Sequence, residues 1–271
     1  MRSLVYICWV STVVLLGGCP PLTPRSAIDP KLVVDAARSK DLPRQVKALR
    51  ELADSVVATR SEKAAAHDRA LAALELALAK QPDDYELLWR AARACFLVTE
   101  HLTTTPDKKQ SLAYGTAGRD FGQRAAKEQP KRVEGHYYLA LNISKVTEAK
   151  NNLRLLKPAV AAAEIAAKLD PGYDEAGPLR LLGKVYVTAP AWPVSIGSPD
   201  KAVAYLERAV ALAPSPMNRL FLGEAYFHEE EYAKAKAAIE QALREGRGRL
   251  QQRWEKEGED YLRRLKIKTS P

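Results

Sequence analysis

Residues able to do chemistry are few in this 271-residue chain: four histidines, three cysteines and some short carboxylate runs. His67, His101, His136 and His228 stand far apart, and none belongs to a His-x3-His, His-Glu-x2-His or Cys/His pattern. Those patterns place ligands together for a zinc ion. Nor is there a Gly-x-Ser-x-Gly elbow to expose a nucleophile, or a glycine loop to cradle phosphate. Gly115-x2-Gly118-x3-Gly122 is glycine-rich, but this is the spacing of small residues on one helix face, and close helix contact accounts for it. Asp83-Asp84 and Glu229-Glu230-Glu231 precede expected helices, whose dipoles favour negative charge at that end. Cys95 and His136 fall at packing positions, so Cys95 reads as a small buried hydrophobe and His136 as a structural residue. The expectation is a protein with no catalytic residue, no metal site and no cofactor, and therefore not an enzyme.

The elements that carry these residues repeat. A small residue, positions four and seven further on, and a proline five beyond recur as Ala70-Leu74-Ala77-Pro82, Gly118-Gly122-Ala125-Pro130, Ala159-Ala163-Ala166-Pro171 and Ala202-Leu206-Ala209-Pro214. Ala235-Ile239-Ala242 keeps the spacing without the proline. Positions four and seven apart share a helix face, small residues let a neighbouring helix approach, and proline ends each helix. Before each comes a first-helix pattern: Leu88-x2-Ala91-Ala92-x2-Cys95, His136-x2-Leu139-Ala140-x2-Ile143, Leu179-x2-Leu182-Gly183-x2-Tyr186 and Arg219-x2-Leu222-Gly223-x2-Tyr226. Paired this way, the chain reads as stacked helical hairpins.

These halves together resemble the tetratricopeptide repeat (TPR), though the successive prolines are further apart than its period of about 34 residues. The surplus falls at turns around His101–Gln110, near Lys150 and in the Ala189–Lys201 loop, where added length costs little closure entropy. The resemblance implies an all-α, right-handed solenoid of about five antiparallel hairpins, with enlarged inter-helix loops and a C-terminal capping helix. An irregular Ala-rich helical bundle is the alternative. Hydrophobic content of 46% is ample for a core, and alternating strand patterns are scarce, so eleven or twelve helices are expected. The formal charge of +9 is spread among acidic residues along the helices, the pattern of solvated faces, and no nucleic-acid motif accompanies it. No nucleic-acid partner is expected.

Arg2 and the apolar run Leu4 to Leu16 form a secretory signal, too short to cross a bilayer comfortably. Its ending, Leu16-Gly17-Gly18-Cys19, resembles the bacterial lipobox, which implies cleavage before Cys19 and a diacylglycerol on its thiol. An ordinary signal peptide with a chance cysteine is the alternative. Pro20-Pro21-Leu22-Thr23-Pro24 reads as an extended tether. The expected organisation is residues 1–18 signal peptide, 19–30 tether, 31–248 repeat domain and 249–271 capping helix and tail. The expected place is the cell envelope, on the outer membrane facing the periplasm, with the lipid as sole membrane contact.

The TPR resemblance also implies a concave face lined by first helices. Its register assigns Trp89, Arg93, Phe96, Tyr137, Leu141, Arg180, Lys184, Leu220, Glu224 and Phe227 to binding a protein or peptide, the cations suiting an acidic ligand. Trp192, at the tip of a proline-stiffened loop, is a further contact candidate. Leu182-Gly183, Tyr186, Pro190, Lys201-Ala202 and Glu207-Arg208-Ala209 resemble the T component of TRAP transporters, although Ile196-Gly197-Ser198 departs from that family's Gly-Gly. This resemblance implies a scaffold that contacts a periplasmic solute-binding protein, with a homo-oligomer as one arrangement. The functional expectation is a lipid-anchored, non-enzymatic adaptor. Its alternative is an accessory uptake component that binds a small apolar or acidic ligand, or a solute-binding protein.

Overall fold

A computed structural model describes residues 42–58, 64–101, 108–248 and 250–269. The expected signal peptide, Cys19 and the expected tether lie outside the described residues. Eleven α-helices and no strand occur among the described residues. They are α1 (Leu42–Ala58), α2 (Ala64–Leu78), α3 (Tyr85–Glu100), α4 (Lys108–Glu128), α5 (Val133–Lys150), α6 (Leu156–Leu169), α7 (Tyr173–Thr188), α8 (Pro199–Leu212), α9 (Pro216–His228), α10 (Tyr232–Gly246) and α11 (Gln252–Thr269). None is long and apolar enough to cross a membrane.

The repeated spacing does in space what it promises in sequence. Ala70, Leu74, Ala77, Ala125, Ala159, Ala163, Ala166, Ala202, Leu206, Ala209, Ala235, Ile239 and Ala242 are all buried. Each second helix packs on the first helix of its own hairpin and on the next one, giving among the described residues a solenoid of five hairpins, α1/α2 to α9/α10. First helices touch one another in series, α3 to α5 to α7 to α9, and form the inner layer. The C-terminal helix α11 continues that layer by packing on α9 and α10, so the cap stands where a sixth first helix would. Cys95 is fully buried among the α3 packing residues, and His136 hydrogen-bonds through Nε2 to the Pro130 carbonyl at 2.9 Å.

Caps follow the sequence at two starts: Asp84 Oδ1 accepts from Leu87 N at 3.0 Å for α3, and Ser215 Oγ accepts from Asn218 N at 3.3 Å for α9. Ser198 stands at the α8 N-cap with Pro199 behind it, but its hydroxyl bonds Asp200 and not the backbone.

One turn departs from anything the pattern foretold. Asp174, Glu175 and Ala176, at the start of α7, have φ of 52°, 54° and 61°. Left-handed backbone costs non-glycine residues about 1–2 kcal/mol each, so the turn must be held from outside. Arg180 donates to the Glu175 and Asp174 carbonyls at 3.0 and 3.2 Å. Asn218, fully buried on α9, donates through Nδ2 to Glu175 O at 2.9 Å and Ala213 O at 2.7 Å, and accepts from Arg180 Nη1 at 3.1 Å. Asn218→Ala strands these partners, and an unsatisfied buried group costs about 1–3 kcal/mol. The expected result is a loss of about 2–3 kcal/mol in urea unfolding. A loss below about 0.5 kcal/mol would show that Asn218 does not secure the turn.

Candidate functional site

Five of the ten expected concave residues meet in one groove. Phe96 from α3, Tyr137 and Leu141 from α5, and Arg180 and Lys184 from α7 line a cleft of about 260 Å³. Its walls also include Leu97, Leu181, Met217 and Phe221, and Trp254 of α11 closes one side. Phe221 and Trp254 meet edge to face with ring centroids 5.1 Å apart, a favoured aromatic geometry. The inner layer thus offers a mainly apolar slot with charged groups around it.

Those charges are already committed. Lys184 donates to Glu224 Oε2 at 2.6 Å and to Glu257 Oε1 of α11 at 3.0 Å, and its ammonium lies 4.6 Å from the centre of the Phe221 ring. Arg180 pairs with Asp174 at 3.2 Å. Asp174 also accepts from the buried Tyr137 hydroxyl at 2.7 Å, and burial, then the Asp174 charge, push that phenol well above its usual range. Lys145 reaches Glu100 at 2.6 Å, and Arg253 of α11 pairs with the other oxygen of the same carboxylate. Burial pushes the Glu100 carboxyl up, but the two cations outweigh it and hold it below the usual carboxylate range. Through Arg253, Glu257 and Trp254, α11 straps the groove from its C-terminal side.

The other five residues are elsewhere, for physical reasons. Trp89 is 7% exposed, donates its indole N–H to Glu86 Oε2 at 3.0 Å, and lies beneath the guanidinium groups of Arg90 and Arg93. Arg93 turns to Asp54 of α1 at 2.7 Å. Leu220 is 1% exposed, a core residue that offers no surface. Glu224 is covered by α11, accepting from Tyr261 at 3.0 Å as well as from Lys184. Phe227 packs against Tyr261 with centroids 5.2 Å apart. The family register assumes an open inner face, and α11 occupies that face at the last repeat. Arg93, Arg180 and Lys184, expected to suit an acidic ligand, are each ion-paired within the chain.

Sequence reasoning missed Phe221, Leu181, Lys145 and Trp254. Phe221 and Leu181 each sit one position after an assigned residue, a step that rotates the side chain by a third of a helical turn. Trp254 was legible only as part of an amphipathic C-terminal helix. Trp192 is 84% exposed on its loop and does not enter the groove. Among the described residues no group of three or more His, Cys, Asp or Glu side chains could hold a metal ion.

No curated protein matches the chain. Among solved structures, the thermophilic TPR protein TTC0263 of Thermus thermophilus superimposes with a TM-score of 0.60 at 22% identity, over 80% of this chain and 98% of its own. PilF of Pseudomonas aeruginosa matches with a TM-score of 0.53 at 15% identity, over 85% of this chain and 94% of that one. MamA of Desulfovibrio magneticus RS-1, from residue 41 to its end, matches with 0.51 at 16% identity, over 76% and 98%. At these identities the likeness establishes the fold, a TPR-like solenoid. Residues 50–186, running from α1 into α7 and making up just over half of the chain, match the model of the family described as regulator of microtubule dynamics protein 1-3, and the chain belongs to that family.

Proposed function

We propose that this protein is a non-enzymatic helical-repeat scaffold whose inner groove receives an apolar side chain from an extended segment of a protein partner. The groove's lining supports this reading. Phe96, Leu97, Leu141, Leu181, Met217 and Phe221 supply apolar wall, while the surrounding ions neutralise one another. Aromatic and aliphatic anchors in such slots carry most of the energy of peptide recognition. What carries over from a family described as regulators of microtubule dynamics is, in this proposal, engagement of a protein partner. The chain is further proposed to be held on the cell envelope by lipid on Cys19, on the run Leu16-Gly17-Gly18-Cys19 and the apolar stretch before it.

A second reading, an accessory component of a TRAP-type uptake system that binds a small ligand or a solute-binding protein, rests on the α7–α8 hairpin. That hairpin carries Leu182-Gly183, Tyr186 and Lys201-Ala202, and a homo-oligomer belongs to the same reading. Genes for a solute-binding protein and a permease beside this one would favour it, and their absence would count against it.

Ser144→Trp tests the groove. Ser144 lines it, half-buried, and bonds the Ala140 carbonyl of its own helix, so a bulky ring fills the slot while the core stays intact. Photo-cross-linking from Gln251 in cells is expected to trap a protein of discrete mass, with recovery falling at least tenfold in Ser144→Trp. Equal recovery in both proteins removes the groove assignment. In the same strains Cys19→Ser is expected to move the chain from the membrane fraction to the soluble one. Retention in the membrane would refute the lipid anchor alone.

A further inference from the structure

A second cleft, sharing no lining residue with the groove, lies between α6 and the loop that joins α7 to α8. The loop is a built frame. Gly197 N donates to Pro190 O at 2.9 Å, Ser198 N to Tyr186 O at 3.0 Å, and Val194 N to Ala191 O at 3.1 Å. Ala191 and Gly197 form a β-bridge, and a Cβ on Gly197 would stand 2.0 Å from the Ala189 carbonyl oxygen, so the two sides of the loop close only around glycine. This frame holds Trp192 84% and Val194 70% exposed, whereas Trp89 is 7% exposed. Large apolar side chains held rigidly in water at one place mark contact surfaces.

The charge around them is one-sided. Arg154, Lys157 and Lys201 line the cleft with Glu164 as the one carboxylate in its lining, over a cleft volume of about 860 Å³. Among the described residues none of the three cations makes an ion pair, unlike Arg93, Lys145, Arg180 and Lys184 of the inner layer. Lys201 lies 5.5 Å from the Tyr186 ring centre, and Asp200 beside it is taken by the Ser198 hydroxyl. The loop and Lys201 also lie past the residues that the family model matches.

We infer that this cleft is a second binding site, for an acidic peptide segment that carries an aromatic or branched aliphatic side chain. The apolar side chain seats against Trp192, Val194 and Tyr186, and its flanking carboxylates pair with Arg154, Lys157 and Lys201. Charge complementarity and the fixed aromatic anchor select this occupant. The assignment does not depend on the inner groove.

Fluorescence anisotropy on the full chain tests it, using a labelled dodecapeptide of glutamates with two phenylalanines. Controls are the same peptide with lysines for glutamates and one with serines for phenylalanines. Binding of the Glu/Phe peptide alone is expected, at least tenfold weaker in Lys157→Glu/Lys201→Glu and at least fivefold weaker in Trp192→Ala. It should weaken as salt rises and stay within twofold in Ser144→Trp. All three substituted loop-face residues are exposed, and unchanged thermal melting confirms folding. Equal binding of the Lys/Phe peptide, or affinity unmoved by charge reversal, overturns the inference. So does loss of binding in Ser144→Trp, which would put the peptide in the groove. Sedimentation with phosphatidylglycerol vesicles in place of peptide binding, or a dimer abolished by Trp192→Ala, would assign the cleft to a lipid surface or to a second copy and equally overturn it.

Discussion

Glu100→Ala is expected to destabilise the protein by about 3–5 kcal/mol at neutral pH, the usual cost of removing one partner from a buried ion pair. The Glu100 side chain is 13% exposed and Lys145 is 18% exposed, so the ammonium is left with little water and with Glu148, 68% exposed and 3.3 Å away, in place of its buried partner. Arg253, 40% exposed, turns to solvent and the α11 strap loses its distal tie. Replacing both charges, as Glu100→Leu with Lys145→Met, should recover most of the loss, because the desolvation penalty disappears together with the attraction. Urea unfolding of the three proteins checks this. A single variant no less stable than the double one would show that the pair does not behave as a buried ion pair.

The same site sets a pH dependence. Burial works to raise the Glu100 carboxyl, and Lys145 and Arg253 overcome it, so the folded value lies below the usual 4.5. A carboxylate depressed on folding contributes its stability above the unfolded value and loses it as pH falls through the folded one. The gap between wild type and Glu100→Ala should therefore narrow in acid. His101 and His228, both lowered chiefly by burial from the usual 6.5, act in the same sense, because the unfolded chain takes up their protons first as pH falls.

Gly122→Val should be the other severe lesion, costing more than about 3 kcal/mol, the upper end of ordinary overpacking. A Cβ at residue 122 would stand 2.8 Å from Leu139 Cα and 2.9 Å from Leu139 N. Both are backbone atoms, so relief demands that α4 and α5 separate. From the other side, a Cβ on Gly135 would stand 2.7 Å from Ala126 N. Separating the helices would loosen the groove as well, since Tyr137 and Leu141 are carried on α5. Gly172→Ala is the control, its nearest neighbour being Asp170 Oδ1 at an ordinary 3.5 Å. Unfolding midpoints for the two variants that differ by less than the equivalent of about 1 kcal/mol would refute the close approach.

Periodic small residues reported the hairpin stack because helix-face contact depends on spacing of three and four, which is written locally in the chain. Cys95 and the Ala159-Ala163-Ala166 face could be placed in the interior on that basis alone. The left-handed turn Asp174–Ala176 could not, because none of its three residues is a glycine and the groups that hold it come from Arg180 and Asn218.

By itself, then, the amino-acid order determined an all-helical repeat with a cap and named five of the seventeen residues that line the groove. Tertiary structure alone decided which inner-layer residues stay open. Leu220, Glu224 and Phe227 are covered because α11 lies over α9, and Arg93 is occupied because Asp54 approaches it from α1. Glu100 and Arg253 are 153 positions apart, and Lys184 and Glu257 are 73. Charge pairing at such separations follows from how the hairpins stack, because electrostatic attraction falls with distance in space and is blind to distance along the chain.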